Sequence, residues 1–241
     1  MINPTESRYG SLDCIVVDGG DAPEIAVVMC HGYGAPGHDL ASLSTPWIQL
    51  LGDEAKRFRF VFPAAPNTLA ELGMPDGRAW WPLNMACLME AIEANEFDEL
   101  HQHEPPGIDD ARQKLCETIN LVKKELAGDE TPLVLGGFSQ GAMLTMETAL
   151  RGSIDPPKCL VQFSGTVICE PQWSAAMDRL ANTAVYQSHG QSDPILPYSS
   201  AVRLQELLKA GGVDVQFHSF DGPHTIDQES IYHLVDMLRS L

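Results

Sequence analysis

The chain has 241 residues, 44% hydrophobic and 20% charged, which suits a single globular domain over residues 1–241 and argues against wholesale disorder. Acidic side chains outnumber basic ones 33 to 15, a formal net charge of −18, so nucleic acid and anionic membrane surfaces are not expected partners. No signal peptide or stretch long enough to span a membrane is visible, and the six cysteines are scattered, so we expect a cytoplasmic protein without stable membrane insertion.

Hydrophobic patterning predicts strands that alternate with helices along the chain. The apolar run at residues 25–30 is typical of a strand buried on both faces. Alternation of this kind favours an α/β fold with a mostly parallel sheet covered by helices on both faces, and with a site beyond the carboxyl ends of the strands. The predicted strands are 12–18, 25–30, 58–62, 133–138, 159–163, 184–188 and 213–220, and the predicted helices are 39–55, 109–127, 175–182, 198–210 and 227–241.

Residues 67–106 depart from this pattern. Prolines interrupt the segment, and an acidic stretch occupies residues 84–104. We interpret 67–106 as a loop-rich excursion over one end of the sheet and not as a second domain.

The stretch from Leu133 to Met143, LVLGGFSQGAM, predicts a nucleophile elbow. An apolar run ends at Ser139, which has Gly137 two residues before it and Gly141 two residues after it, and a helical pattern follows. Strand, tight turn and helix form the context in which G-x-S-x-G carries a nucleophilic serine. The alternative is a surface Ser-Gly turn, so the prediction requires partners for the serine.

The partners of Ser139 are an acid and a histidine that follow it in the chain. An imidazole must accept the serine proton and a carboxylate must orient that imidazole. In doubly wound hydrolases the chain order is serine, acid, histidine, with the last two in loops after strands. Asp193 follows the strand predicted at 184–188, although a turn or a helix cap is another role for an aspartate before proline. Asp155 and Asp178 are weaker candidates, in a Pro-rich turn and a predicted helix.

Four histidines follow Ser139, and His224 has the position that a catalytic base requires. It lies in a loop after the last predicted strand and before the last predicted helix. His189 ends a strand, His218 lies within a strand and His233 within a helix. We therefore predict Ser139, Asp193 and His224 as the catalytic residues.

Two backbone N–H groups are needed to stabilise the negative oxygen of the tetrahedral intermediate. We predict that Gln140, directly after the nucleophile, supplies one and that Tyr33, in the glycine-rich bend after the strand at 25–30, supplies the other. His31 in the same bend is expected to support the loop. No metal is expected, because the close pair His101 and His103 lies in a loose acidic loop, and no cofactor is predicted.

The motifs together resemble the phospholipase/carboxylesterase family of α/β hydrolases, which includes the acyl-protein thioesterases. The resemblance implies the α/β-hydrolase fold and hydrolysis of carboxylic esters, thioesters or lysophospholipids through an acyl-serine, with a small acyl-ester substrate as the partner. It also implies that Leu72, Met74, Trp80 and Trp81 shape the acyl site. The matching segments are CHGYG at 30–34, FPAAP at 62–66, GRAWW at 77–81, GFSQGA at 137–142, HGQSDP at 189–194 and GPH at 222–224.

Two features depart from that family's pattern and bear on the substrate. Pro82 and Leu83 follow the tryptophans where thioesterase members carry an acidic residue, and residues 84–104 are longer and more acidic than in compact members. The acyl length and the choice between oxygen ester and thioester therefore stay open. A dienelactone-hydrolase-like enzyme would have cysteine at the elbow, and a non-catalytic ligand-binding protein on the same fold is the alternative from another class.

Overall fold

The computed structural model describes residues 4–84, 86, 90, 97 and 101–241. Most of the acidic stretch at 84–104 lies outside the described residues. The remainder is organised by an eight-stranded sheet and a separate two-stranded hairpin. The strands are β1 Thr5–Tyr9, β2 Leu12–Asp18, β3 Ile25–Cys30, β4 Phe58–Pro63, β5 Asn67–Leu69, β6 Met74–Ala79, β7 Leu133–Phe138, β8 Cys159–Phe163, β9 Ala184–Gly190 and β10 Val215–Phe220. The strand order in the sheet is β1-β2-β4-β3-β7-β8-β9-β10, and β5 pairs with β6 in the hairpin.

The sheet is antiparallel at one edge and parallel elsewhere. β1 pairs with β2 and β2 with β4 in antiparallel register, while the strands from β4 through β3, β7, β8 and β9 to β10 are parallel. Parallel strands present their carboxyl ends at one edge, so the loops after β3, β7, β9 and β10 emerge together. This edge carries every residue predicted for catalysis.

Helices cover both faces of the sheet. They are α1 Ser44–Leu51, α2 Ile108–Leu126, α3 Gln140–Arg151, α4 Glu170–Ala175, α5 Tyr198–Ala210 and α6 Gln228–Arg239. Short 3₁₀ helices flank α1 at Asp39–Leu43 and Gly52–Arg57, so the helix predicted at 39–55 is divided into three segments.

Two hydrophobic cores lie on opposite faces of the sheet, and β3 contributes alternate residues to each. Ala26, Val28 and Cys30 pack into the core that contains α2 and α3. Val27 and Met29 pack into the core that contains α1 and α6. A strand with helices on both faces must be apolar at every position, which explains the unbroken run at 25–30 and confirms the predicted α/β architecture.

Two strand pairs were not predicted. The sequence of β1, TESRY, is polar because an edge strand exposes most of its side chains. The hairpin of β5 and β6 lies inside the segment that was interpreted as loop, where Pro75 obscures the alternation of β6. Within the described residues, no helix is long and apolar enough to cross a membrane. The cysteines in this part of the chain are free and buried: Cys14, Cys30, Cys116, Cys159 and Cys169.

Candidate active site

Ser139 lies on a sharp turn between β7 and α3. Its backbone has φ 55° and ψ −120°, a conformation that residues other than glycine rarely adopt. Its N–H donates a hydrogen bond to the carbonyl of Phe163 at 2.9 Å, which fixes the turn against the end of β8. Strand, strained turn and helix follow each other as the elbow motif requires.

The glycines on either side of Ser139 allow β3 to approach the elbow. A Cβ on Gly141 would lie 2.1 Å from the carbonyl oxygen of Cys30, and one on Gly137 would lie 2.6 Å from the same oxygen. Both distances are far below van der Waals contact. The elbow therefore packs on the end of β3 at a distance that only glycine permits.

Asp193 and His224 form a hydrogen-bonded pair. The Nδ1 atom of His224 donates to Oδ2 of Asp193 at 2.6 Å, and the Asp193 side chain is fully buried. Oδ1 of Asp193 accepts from the backbone N–H groups of Ile195 at 2.8 Å and Leu196 at 2.9 Å. Because Nδ1 carries the proton, Nε2 of His224 is the ring nitrogen left to accept one.

The environment of Asp193 favours its charged form. Burial raises the pKa of this carboxyl, but hydrogen bonds from His189, His224 and the Leu196 N–H lower it by more, so the net pKa lies below the ordinary value. An ionised Asp193 can stabilise a positive charge on His224.

Backbone contacts hold the loops of the acid and the histidine against each other. The N–H and the hydroxyl of Ser192 both donate to the carbonyl of Gly222, at 3.1 and 2.9 Å. A Cβ on Gly190 would lie 2.3 Å from the carbonyl oxygens of Gly222 and Pro223. The close approach of these two loops brings Asp193 to His224.

A cavity of about 410 Å³ is lined by several of the predicted residues. Ser139 and His224 both line it, as do Tyr33 and Gln140. The ring of His224 packs against Phe138, with the ring centroids 4.7 Å apart. Among the described residues, no hydrogen bond joins the Ser139 hydroxyl to the His224 ring; such contacts are often long in ligand-free sites.

Tyr33 and Gln140, the residues predicted as oxyanion donors, both lie beside the elbow and line the cavity. Gln140 is the first residue of α3, where a backbone N–H has no partner within the helix. Tyr33 follows Gly32, and a Cβ on Gly32 would lie 3.2 Å from the Cβ of Ser139. The bend after β3 is thus packed directly against the elbow.

The bend also has the spacing G-x-G-x-x-G at Gly32, Gly34 and Gly37, which occurs in dinucleotide-binding loops. Here the Gly34 N–H donates to the carbonyl of Arg78 at 2.9 Å, and the Arg78 N–H donates to the carbonyl of Ala35 at 3.1 Å. The loop is bonded to the hairpin strand β6 and packed against Ser139, so the glycines serve a different purpose from a phosphate cradle.

His31 holds this bend in place through two hydrogen bonds. Its Nε2 accepts from the N–H of Ala65 at 3.0 Å, and its Nδ1 donates to the carbonyl of Gly32 at 2.8 Å. Burial lowers the pKa of His31, which keeps the ring neutral as these bonds require. The structure agrees with the supporting role expected for this histidine.

The four residues predicted to shape the acyl site have different environments. Trp81 lines the cavity. Trp80 does not: it is buried and donates from Nε1 to the carbonyl of His31 at 2.9 Å. Met74 lies at the start of β6, outside the lining, and Leu72 is 66% exposed at the turn of the hairpin. Trp80, Met74 and Leu72 are not among the described residues that line this cavity, and their contribution to the acyl site stays a prediction.

The wall of the cavity includes residues that were not predicted. Val167 and Ile168 follow β8, and Ile195 and Leu196 follow Asp193. The side chain of Gln140 is a second omission, because it holds the tryptophan pair in place: its amide donates to the carbonyl of Trp81 at 2.9 Å. A short apolar run a few residues after a strand end is the sequence signal that could have revealed Val167 and Ile168.

One group of described residues has the spacing of metal ligands, and it lies outside the cavity. His218, Asp227 and Glu229 place one ligand atom each within 4.8 Å of one another. Asp227 also caps α6 by accepting from the N–H of Ser230 at 3.1 Å, which accounts for its position. Of the two histidines considered for a metal, His103 lines the cavity and is not in this group.

Comparisons with known proteins agree with this architecture. The chain is 27% identical over 200 residues to acyl-protein thioesterase 1 of Gibberella zeae, covering 81% of each chain. It is 26% identical over 226 residues to acyl-protein thioesterase 1 of Neurospora crassa, covering 88% of this chain and 84% of the relative. It is also 27% identical over 133 residues to the Escherichia coli esterase YpfH, covering 55% of each chain.

Solved structures share the fold. The crystal structure of esterase PE8 superposes with a TM-score of 0.74 at 24% identity, covering 99% of this chain and 98% of that one. Acyl-protein thioesterase 2 of Zea mays gives a TM-score of 0.66 at 22% identity, covering 94% and 97%. These likenesses confirm the predicted α/β-hydrolase fold.

The sheet, the elbow and the pocket thus define a hydrolase of the α/β-hydrolase class. Residues 12–241 match the sequence profile of the Phospholipase/Carboxylesterase family, and the chain belongs to that family.

Proposed function

We propose that this protein is a serine hydrolase that cleaves carboxylic esters or thioesters through an acyl-serine intermediate. The observation that carries the proposal is the placement of His224: its Nδ1 is held by the buried Asp193 carboxylate while its ring lines the same cavity as Ser139. A neutral imidazole oriented in this way is the base that a serine hydroxyl needs.

The reaction then follows two symmetrical steps. Nε2 of His224 takes the hydroxyl proton as Ser139 Oγ attacks the acyl carbon, and the same proton passes to the leaving alcohol or thiol as its bond breaks. Water then enters, gives a proton to His224 and attacks the acyl-serine, and Ser139 recovers that proton as the carboxylic acid leaves. The N–H groups of Tyr33 and Gln140 would stabilise the oxyanion in both steps.

The cavity wall supports an apolar acyl group as the part of the substrate that binds. The side chains that line the cavity together with Ser139 include Trp81, Met143 and Ile168, and the described part of the lining contains no lysine or arginine. A volume of about 410 Å³ is of the size that holds small ligands. The names of the relatives, esterase and acyl-protein thioesterase, support the same substrate class.

The alternative is a ligand-binding protein that retains the fold without catalysis. The strained backbone of Ser139 weighs against it, because such strain persists where it has a function. The buried free cysteines of the described residues suit the cytoplasmic location expected from the sequence.

Hydrolysis of p-nitrophenyl esters of graded acyl length, and of the matching acyl thioesters, tests the proposal. Ser139→Ala should lower kcat by ~10⁶ if the three residues act as a unit. Ser174→Ala, on the exposed side of α4, is the matched control and should retain full activity. A fluorophosphonate probe should label the wild type and the control but not the Ser139 variant.

Retention of more than a tenth of wild-type turnover by Ser139→Ala would contradict the assignment of the nucleophile. A wild-type protein that neither hydrolyses any ester in the series nor reacts with the probe would favour the ligand-binding alternative.

A further inference from the structure

His189, at the end of β9, makes a contact with the proposed catalytic aspartate that the reaction itself does not explain. Its side chain is fully buried, and its Nε2 lies 3.2 Å from Oδ2 of Asp193. The same nitrogen lies 2.9 Å from the carbonyl oxygen of Leu196. Oδ2 of Asp193 therefore faces two imidazoles, one from His224 and one from His189.

The partners of His189 determine its tautomer. Both groups at Nε2 are acceptors, a carboxylate and a carbonyl, so Nε2 must carry the proton and share it between them. Nδ1 is buried and has no hydrogen-bond partner in the described part of the chain. The ring lies near that of Tyr198 of α5, with the ring centroids 6.3 Å apart.

A purely structural histidine is the simpler explanation, and the unpaired Nδ1 weighs against it. A buried polar atom without a partner costs stability, and an apolar side chain at this position would avoid that cost. Among the described residues, the groups that gain from an imidazole here are the two acceptors at Nε2. One of these acceptors is the carboxylate that holds His224. A hydrogen bond to a charged carboxylate is stronger than one to a neutral carbonyl, so the contact with Asp193 is the one that favours a histidine here.

We propose that His189 is a positioning residue that donates a second hydrogen bond to Asp193 and so fixes the carboxylate that orients His224. The inference rests on the proposed function, because it assigns a role relative to that triad. His189 does not line the cavity and touches no substrate. It acts as a second donor to Oδ2 in addition to His224, while the N–H groups of Ile195 and Leu196 donate to Oδ1.

The second donor has a predictable effect on the pH profile. The N–H of His189 points its positive end at Oδ2 and partly offsets the negative charge of the carboxylate. The carboxylate therefore stabilises a positive charge on His224 less than it would without this donor. The titratable groups that face Asp193 in the described residues are these two histidines, from the ends of β9 and β10. Without the His189 donor, the carboxylate favours protonation of His224 more strongly. The fall of kcat/KM at low pH, here called the acid limb, should therefore move to higher pH, because a protonated His224 cannot act as the base.

Two variants at His189 separate positioning from packing. His189→Phe keeps an aromatic ring and removes the donor, whereas His189→Gln places an amide N–H close to the position of Nε2. We expect kcat of His189→Phe to fall about 10-fold to 100-fold with KM changed by less than about threefold, the size of effect that one hydrogen bond to a charged group gives. The acid limb should move upward in His189→Phe, and His189→Gln should recover most of kcat and the wild-type limb.

The measurement is kcat and kcat/KM from pH 5 to 9 with a p-nitrophenyl ester, together with urea unfolding of each variant. His189→Met serves as a second donor-free variant if the phenylalanine does not fit the buried site. Two results would overturn the inference. One is an equal loss of kcat in His189→Phe and His189→Gln with an unmoved acid limb, which would assign His189 to packing alone. The other is wild-type kinetics in His189→Phe. An inactive wild type contradicts the proposed function instead, so the two failures are distinguishable.

Discussion

Gln140 Oε1 accepts a hydrogen bond from the backbone N–H of Trp80 at 2.9 Å. The amide of the same side chain donates to the carbonyl of Trp81 at 2.9 Å. The residue that follows the nucleophile thus satisfies two buried backbone groups of the segment after β6. The elbow and the tryptophan wall of the cavity are held together as one unit.

Replacing Gln140 tests this connection. Gln140→Leu keeps the backbone N–H proposed for the oxyanion hole but leaves the N–H of Trp80 and the carbonyl of Trp81 without partners. Each unsatisfied buried group costs about 1–3 kcal/mol, so the free energy of unfolding should fall by at least that amount. Because Trp81 lines the cavity, the KM of Gln140→Leu should rise more for long-chain p-nitrophenyl esters than for p-nitrophenyl acetate.

Urea unfolding and the ester series measure both effects. Gln228→Leu, on the exposed side of α6, is the control and should change the unfolding free energy by less than about 0.5 kcal/mol. If Gln140→Leu is as stable as this control, the two hydrogen bonds of the Gln140 side chain make no net contribution to the free energy of unfolding.

The sequence predicted those parts of the fold and the site that depend on local pattern. The unbroken apolar run of β3 and the glycines around Ser139 each reflect a constraint that acts within a few residues. The order of Ser139, Asp193 and His224 follows from chain topology, because parallel strands bring their carboxyl ends to one edge. These residues share one edge of the sheet in the structure, although their catalytic roles stay a prediction.

The remainder depends on where side chains point in three dimensions. Trp80 and Trp81 are adjacent in sequence, yet one supports His31 from the core and the other lines the cavity. Neighbouring residues of an extended segment point to opposite sides, and the sequence does not indicate which of the two tryptophans faces the cavity. Likewise, nothing in the sequence indicates that the Gln140 side chain turns away from Ser139 towards the tryptophans.

Gly141 offers a direct test of the elbow. In Gly141→Ala the added methyl group would lie 2.1 Å from the Cys30 carbonyl, so β3 and α3 must separate. We expect a loss of about 1–3 kcal/mol in unfolding free energy, as for other overpacked sites, and loss of most esterase activity because Tyr33 moves with β3. Gly212→Ala is the control for crowding: a Cβ there meets nothing within 4 Å, although Gly212, unlike Gly141, has a positive φ that alanine strains. If both variants lose activity equally, the close approach of β3 is not what the elbow requires.

Glu147 forms a buried charge network behind the cavity. Its carboxylate is fully buried on α3 and accepts from Arg112, from Arg151 at 3.0 Å and from the Trp173 ring N–H at 2.7 Å. Arg151 also pairs with Glu104 at 2.9 Å, and Glu104 lines the cavity. The network therefore connects α3 to the cavity rim.

Glu147→Gln removes the charge at the centre of this network. Two arginines would lose their shared partner in a low-dielectric environment, so unfolding free energy should fall by about 3–5 kcal/mol. Asp13→Asn, which breaks the exposed pair with Arg8, should cost less than about 1 kcal/mol and serves as the control. Thermal unfolding of both variants provides the comparison, and similar midpoints would mean that water reaches the network.

His31 should make stability depend on pH near neutrality. Burial lowers the pKa of this histidine, so below the ordinary histidine pKa of about 6.5 the unfolded chain binds a proton that the folded protein excludes. The free energy of unfolding should therefore fall as the pH drops from 7.5 to 5.5. His31→Gln can still accept from the Ala65 N–H, and it should be less stable at pH 7.5 but lose less on acidification.

His233 needs a parallel variant, because burial lowers its pKa as well. Urea unfolding of His31→Gln, His233→Gln and the double variant at both pH values separates the two contributions. An unchanged pH dependence in His31→Gln would mean that the ring tolerates protonation within the bend.

The size of the cavity should limit the length of the acyl chain. Ile168 lies on the wall in the loop after β8, separate from the residues proposed for catalysis. Ile168→Trp adds volume at this wall and should shift the preferred p-nitrophenyl ester to shorter chains, whereas Ile168→Ala should shift it to longer ones. For p-nitrophenyl acetate, whose acyl group reaches only the region of Ser139, kcat of both variants should stay within about threefold of the wild-type value. Neither variant alters a group that stabilises charge or moves a proton. The ratio of kcat/KM for long and short esters measures the shift, and equal ratios in the two variants would place the acyl chain elsewhere.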